Sequence, residues 1–226
     1  MDDQVLVGLD ARSHTLGHGI PAAVVSETVS VPFDDLEVLT ATLAGGDVAA
    51  VLVDPSMHHG GLWAGTPEHY QAIAEATHAV GALLIFDEVI SGFRLAPGGG
   101  QEYFGVVPDL AVFGKAFAVG EKLGAVVGRA EVMAVADPSA DRRPGPFAFQ
   151  SGTCSDSTNA QAAALAAMAE YQRLGADGAY KAVGHLADEL GRGLQAAFAA
   201  HGIPCRYRQL GPIVRLFLTD GPMDYD

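Results

Sequence analysis

Short, wholly apolar runs alternate with longer stretches in which apolar residues recur at helical spacing. Residues Val48 to Val53 form the first such run, stopped by Asp54 and Pro55, and predict a buried strand. Thr66, Pro67 and Glu68 then supply an N-cap, a proline at the first helical position and an acid in the first turn. The helix they start is expected to reach about Val80, with Gly81 as its stop. Ala82 to Phe86, closed by Asp87 and Glu88, predicts a second strand; Asp109 to Gly114 predicts a third and Gly124 to Gly128 a fourth. These runs are apolar throughout, the pattern of strands covered on both faces. The expected class is α/β, a mostly parallel sheet with helices on both faces.

Beyond Pro138 the pattern changes. Residues 137–146 are rich in proline, charge and small side chains and read as a loop. Alanine-rich sequence with helical spacing of Leu, Met and Phe predicts helices from Ser157 to about Arg173 and from Ala179 to about Ala200. Two short strands are expected between Ile203 and Leu218, around Gly211 and Pro212. The change of substructure near Gly175 divides the chain into residues 1–174 and 175–226.

Composition narrows the function classes. The 226 residues suffice for one large domain or one and a half smaller ones, and 49% hydrophobic against 18% charged residues is a globular balance. Charge, glycine or proline interrupts each apolar run well short of a membrane span. Net charge is −14, and the 13 Lys and Arg are scattered, which excludes a phosphate-tracking stripe and with it nucleic acid. The acidic start, Met1 to Gln4, has neither a secretory nor a transit pattern. Cys154 and Cys205 form no CxxC, so neither a disulfide framework nor a zinc site is expected, and the cytoplasm is the expected location. His14 with His18, and His58 with His59, lack the partners or geometry for a metal ion, and none is expected.

Ligands of open α/β sheets sit beyond the carboxyl ends of the strands. Asp87 follows the second strand there, and Lys115 follows the third, after Gly114. A lone aspartate at a strand end is usually a cap and a lone lysine usually solvated. Four apolar residues before Asp87 and Glu88 also match the Mg²⁺ strand of P-loop NTPases, but the chain has no G-x-x-x-x-G-K-[ST]. Neither a G-x-S-x-G elbow nor an H-E-x-x-H helix occurs. As a pair, the two residues suit pyridoxal 5′-phosphate (PLP). A carboxylate holds the proton on its pyridine nitrogen, and a primary amine forms a Schiff base with its aldehyde.

Residues Ala82 to Arg94 resemble the cofactor strand of class III aminotransferases. Gly99 to Val106, Pro108 to Leu110 and Phe113 to Lys115 resemble the glutamate-1-semialdehyde aminomutase branch in particular. Gly124, Ala125, Gly128, Arg129 and Gln150 to Thr153 continue the resemblance, which runs from about His14 to Asp220 with Asp87 and Lys115 28 positions apart. It implies the PLP fold type I large domain, incomplete at its N-terminus, followed by part of the small domain. It also implies amino-group transfer or 1,2-amino migration on a small-molecule amino donor or acceptor.

Lys115 would hold the cofactor as a Schiff base and shuttle the proton, Asp87 would bind the ring nitrogen, and Val89 would pack on one face of the ring. Gly152 and Thr153 would serve the phosphate of a neighbouring subunit in a homodimer. The family usually reads Glu-Pro where this chain has Asp54 and Pro55, and it differs again at Ala118 to Lys122 and Ser155 to Thr158. The family's phosphate-cradling loop lies upstream of the matching region, so a partner chain supplying it is a further expectation. Other readings are a different PLP reaction such as racemisation, and a non-catalytic remnant or split-enzyme subunit.

Overall fold

A computed structural model describes residues 19–58, 61–137, 147–150, 152, 155 and 157–223. By proximity of backbone the chain divides into two units, Met1–Val48 with Asp226, and Ala49–Tyr225. Gly175, near which a change of substructure is expected, lies in the last turn of the helix Thr158–Ala176. Among its described residues the first unit holds two helices, α1 (Ala22–Val25) and α2 (Leu36–Leu43). Asp35 caps α2, its Oδ1 accepting the Glu37 and Val38 amides at 3.1 and 2.9 Å.

The second unit is built on a sheet of β1 (Ala50–Val53), β2 (Leu83–Asp87), β3 (Leu110–Phe113) and β4 (Ala125–Gly128), in that spatial order among the described residues. The first three are parallel, with Val53 beside Phe86 and Asp87 beside Val112. β4 runs antiparallel to β3. The connection between them, residues 114–124, is shorter than the dozen or so residues a parallel crossover needs. The mostly parallel sheet expected from the apolar runs is therefore present with one reversed edge.

Helix α3 (Pro67–Ala79) starts as the sequence predicts. Thr66 Oγ1 accepts the His69 amide at 3.3 Å, and Gly81, at φ +79°, ends the segment in a left-handed conformation. Tyr70 of α3 is fully buried, its ring 4.4 Å from that of Phe104 in α4 (Gly99–Phe104) and 6.0 Å from that of Phe86. Its hydroxyl donates to the Pro55 carbonyl at 2.6 Å and accepts the Gly65 amide at 3.0 Å. Burial pushes this hydroxyl well above its ordinary pKa, so it stays protonated and able to donate.

After a short helix α5 (Ala130–Met133) come two long ones, α6 (Thr158–Ala176) and α7 (Ala179–Ala200), then an antiparallel hairpin of β5 (Arg206–Leu210) and β6 (Ile213–Phe217). α7 lies close on this hairpin because position 191 is glycine: a Cβ there would meet the Tyr207 ring at 2.4 Å. The Tyr207 hydroxyl donates to Asp188 at 2.6 Å, and Gln209 Nε2 donates to the Gly184 carbonyl at 2.6 Å. Arg208 and Arg215 reach from the hairpin to the Gly61 and His58 carbonyls at 3.2 and 2.9 Å, and Arg208 lies 4.1 Å over the Trp63 ring.

Candidate active site

Period-2 alternation along β2 sends Leu84 and Phe86 into the core, both fully buried, and leaves Leu83, Ile85 and Asp87 half-buried on the other face. The alternation carries past the strand end, where the Glu88 amide donates to the Val112 carbonyl at 2.8 Å. Asp87 and Glu88, adjacent in sequence, thus face opposite sides of the sheet. Glu88 is completely buried, and its Oε2 accepts the Ser91 hydroxyl and, at 2.8 Å, the Gly100 amide. Its Oε1 accepts the Gln101 amide at 2.8 Å. Burial raises the Glu88 carboxyl above its ordinary range, opposed by these three hydrogen bonds. Its work is structural: it caps the first turn of α4 and fixes the loop that follows Asp87.

Asp87 Oδ1 accepts the Val89 amide at 3.0 Å, and among the described residues its other oxygen has no hydrogen-bond partner. The loop beyond it is held by Arg94, whose Nη1 donates to the Ile90 carbonyl at 2.7 Å. On β3, Val112 pairs with Asp87, so the residues just beyond both strands share one end of the sheet. Gly114 follows in extended backbone, φ −166°, which any residue adopts. Its bareness matters sideways: a Cβ there would stand 3.5 Å from Val89 Cγ1, so glycine leaves the flank of Val89 uncovered.

Lys115 opens a 3-10 turn, Lys115–Ala118, with φ +48°, left-handed for a residue that carries a side chain. Such a conformation costs roughly 1–3 kcal/mol and persists where its surroundings hold it. The lysine is exposed and makes no ion pair among the described residues. Its turn packs on α6, where the Tyr171 hydroxyl donates to the Ala116 carbonyl at 2.8 Å. Rings stack around it: Tyr171 on Phe93 at 5.4 Å and Phe93 on Phe117 at 5.9 Å.

The structure thus brings Asp87, Val89, Gly114 and Lys115 to the carboxyl ends of two adjacent strands. Gly152 is described but exposed, and Thr153 lies outside the described residues, as do His14, His18, His59 and Cys154. Among the described residues no cluster of His, Cys, Asp and Glu is placed to hold a metal ion, and no helix is long and apolar enough to cross a membrane. A cleft lined by Phe93, Gly98, Gln101, Glu102, Val107 and Phe113 includes neither Asp87 nor Lys115.

Sequence reasoning missed two arrangements. One is Tyr171, whose only signal was a tyrosine inside an alanine-rich helix. The other is Asp109 at the opposite end of β3, almost wholly buried. Its Oδ2 accepts from the Leu84 amide at 2.7 Å and His78 Nε2 at 2.8 Å, and its Oδ1 from Arg129 Nη1 at 2.8 Å. Burial acts to raise this carboxyl, but the bonds from Arg129, Leu84 and His78 outweigh it and hold it down to about 2. Asp109 ties α3, β2 and the end of β4 together.

Solved transaminases share this fold of an open, mostly parallel sheet with helices. An omega-transaminase from Sphaerobacter thermophilus superposes with a TM-score of 0.78 at 32% identity, over 93% of this chain and 47% of its own. A glutamate-1-semialdehyde aminomutase from Pseudomonas aeruginosa PAO1, solved in complex with PMP, superposes with a TM-score of 0.75 at 28% identity, over 97% of this chain and 49% of its own.

The chain belongs to the class-III aminotransferase family, whose model matches residues 19–219, and the family is one of PLP-dependent enzymes. Glutamate-1-semialdehyde 2,1-aminomutase 2 of Bacillus licheniformis is 34% identical over 99% of this chain and 51% of its own length. The glutamate-1-semialdehyde 2,1-aminomutase of Nitratidesulfovibrio vulgaris is 37% identical over 91% and 46%. The chain spans about half the length of these curated relatives.

Proposed function

We propose that this chain carries the PLP-binding centre of an enzyme that transfers an amino group, or migrates it between adjacent carbons, on a small-molecule substrate. The observation that carries the reading is the placement of Asp87 at the carboxyl end of β2 and of Lys115 just beyond that of β3, with the Val89 flank left open by Gly114.

These residues fit the cofactor. Asp87 presents a carboxylate oxygen without a partner among the described residues, suited to a protonated ring nitrogen. Val89 offers an apolar platform for a ring, and Lys115 a primary amine free of ion pairs among the described residues. When bound, PLP supplies an electron sink for negative charge developing at the substrate α-carbon. Asp87 holds the proton on the ring nitrogen. Lys115 Nζ, once freed by the incoming substrate amine, would carry the proton between the substrate α-carbon and cofactor C4′. Val89 keeps water from one face of the ring.

The remaining assignments belong to the same proposal. Residues 1–174 serve the cofactor and 175–226 belong to the small domain. Gly152 and Thr153 meet the phosphate across a homodimer, or a partner chain supplies the phosphate loop, and the enzyme works in the cytoplasm. The likeness to the three aminomutases supports 1,2-amino migration over racemisation.

The test is reduction with borohydride in the presence of PLP, followed by peptide mapping. The phosphopyridoxyl group is expected on Lys115. Its appearance on Lys122 or Lys181 instead would sink the assignment.

A further inference from the structure

Lys115 stands in a left-handed backbone conformation that a lysine does not adopt unaided, at φ +48°. The turn's own bond from the Phe117 amide to the Gly114 carbonyl, 3.0 Å, closes it locally. A second hold comes from 55 positions away, where the Tyr171 hydroxyl donates to the Ala116 carbonyl at 2.8 Å. We infer that Tyr171 is a positioning residue for Lys115, its hydroxyl fixing through the Ala116 carbonyl the turn from which the lysine projects. The inference rests on the reading of Lys115 as the cofactor lysine.

Geometry separates the two halves of the tyrosine. Its ring belongs to a stack, lying 5.4 Å and 24° from Phe93, which in turn lies 5.9 Å and 18° from Phe117. Phe93 sits on the loop that begins at Asp87, and Phe117 on the turn that begins at Lys115. The ring therefore packs on the loop beyond Asp87 and meets the Phe117 side chain only through Phe93, while the hydroxyl reaches the carbonyl of the residue that follows the lysine. Packing alone asks only for an aromatic ring, which phenylalanine supplies. The hydroxyl adds direction, because a hydrogen bond to a carbonyl restrains that peptide plane where a packed ring does not. With the Ala116 carbonyl held, the turn that begins at Lys115 keeps one backbone arrangement and the amine it carries samples a smaller volume beyond the end of β3, as an imine-forming group requires.

The variant that tests this is Tyr171→Phe in the full chain, which keeps the stack and removes the hydroxyl. Three measurements are made on wild type and variant. They are thermal unfolding, amide hydrogen exchange of the peptide covering residues 114–119, and the share of borohydride-trapped PLP on Lys115 relative to Lys122 and Lys181 across pH. The variant is expected to unfold within a few degrees of wild type and to exchange faster over 114–119. Its Lys115 share is expected to fall roughly fivefold, which corresponds to about 1 kcal/mol, one neutral hydrogen bond. Unchanged exchange and unchanged Lys115 share would overturn the inference. Faster exchange with an unchanged share would reduce Tyr171 to a structural tie and overturn it equally. If wild type itself is not trapped at Lys115, the reading of Lys115 fails, and the exchange over 114–119 still decides whether Tyr171 holds the turn.

Discussion

Asp87 and Glu88 are neighbours in the chain, yet their carboxylates point to opposite faces of the sheet. Glu88 is fully buried and accepts the Ser91 hydroxyl and the Gly100 and Gln101 amides, whereas Asp87 accepts the Val89 amide alone among the described residues. The difference follows from strand geometry, since successive side chains alternate faces. It separates a carboxylate committed to structure from one open to a ligand, and the two substitutions below should behave differently.

Asp87→Asn should leave the fold largely intact. The amide oxygen can still accept the Val89 amide, and the half-buried site accommodates a nearly isosteric change. In an active assembly, turnover should fall on the order of a hundredfold or more, because a neutral amide does not hold a proton on a ring nitrogen. Unfolding curves and single-turnover rates measured side by side check both halves.

Glu88→Gln should act on stability first. Gln has one acceptor oxygen where Glu88 uses two, so its NH₂ would face the Gln101 amide or the Gly100 and Ser91 donors in a buried site. A buried donor left without an acceptor costs about 1–3 kcal/mol. A lower denaturant midpoint with an unchanged slope is the expected signature.

The acid limb of stability should depend on Asp109. Its folded pKa is about 2, against 3.8 for an ordinary aspartate. A depressed carboxyl contributes stability that is present above its unfolded value and lost as pH falls toward its folded one. The contribution is about 2 kcal/mol, lost between roughly pH 4 and pH 2. Asp109→Asn should be less stable at neutral pH and show a flatter dependence on pH below 4, which unfolding at a series of pH values would reveal.

Two glycines of α7 give a paired test of packing. Gly191→Ala places a methyl 2.4 Å from the Tyr207 ring, and overpacking of that kind costs about 1–3 kcal/mol, more than the helix-propensity gain of about 1 kcal/mol. Gly193, on the same helix, has nothing within 4 Å of a Cβ, so Gly193→Ala keeps the propensity gain and should raise the melting temperature. Equal effects at the two positions would show that α7 does not sit on the hairpin as described.

The strands and helices of this chain were legible because their signals are local. Apolar runs bounded by Asp, Gly and Pro became β1 to β4. Thr66 with Pro67 started α3, and the helix expected over Ala179 to Ala200 is α7 with those bounds. Asp87 and Lys115 stood out by their places at the ends of apolar strand runs, and Val89 by resemblance. Tertiary structure decided what depends on distant partners. It reversed β4, because residues 114–124 cannot make a parallel crossover. It turned Glu88 inward to α4, and it joined Asp109 to His78 and Arg129, residues 31 and 20 positions away. It also set Tyr171 against the Ala116 carbonyl. Periodicity reports which face of an element is apolar, but a hydrogen bond between remote segments exists only once the packed sheet and helices fix where both ends lie.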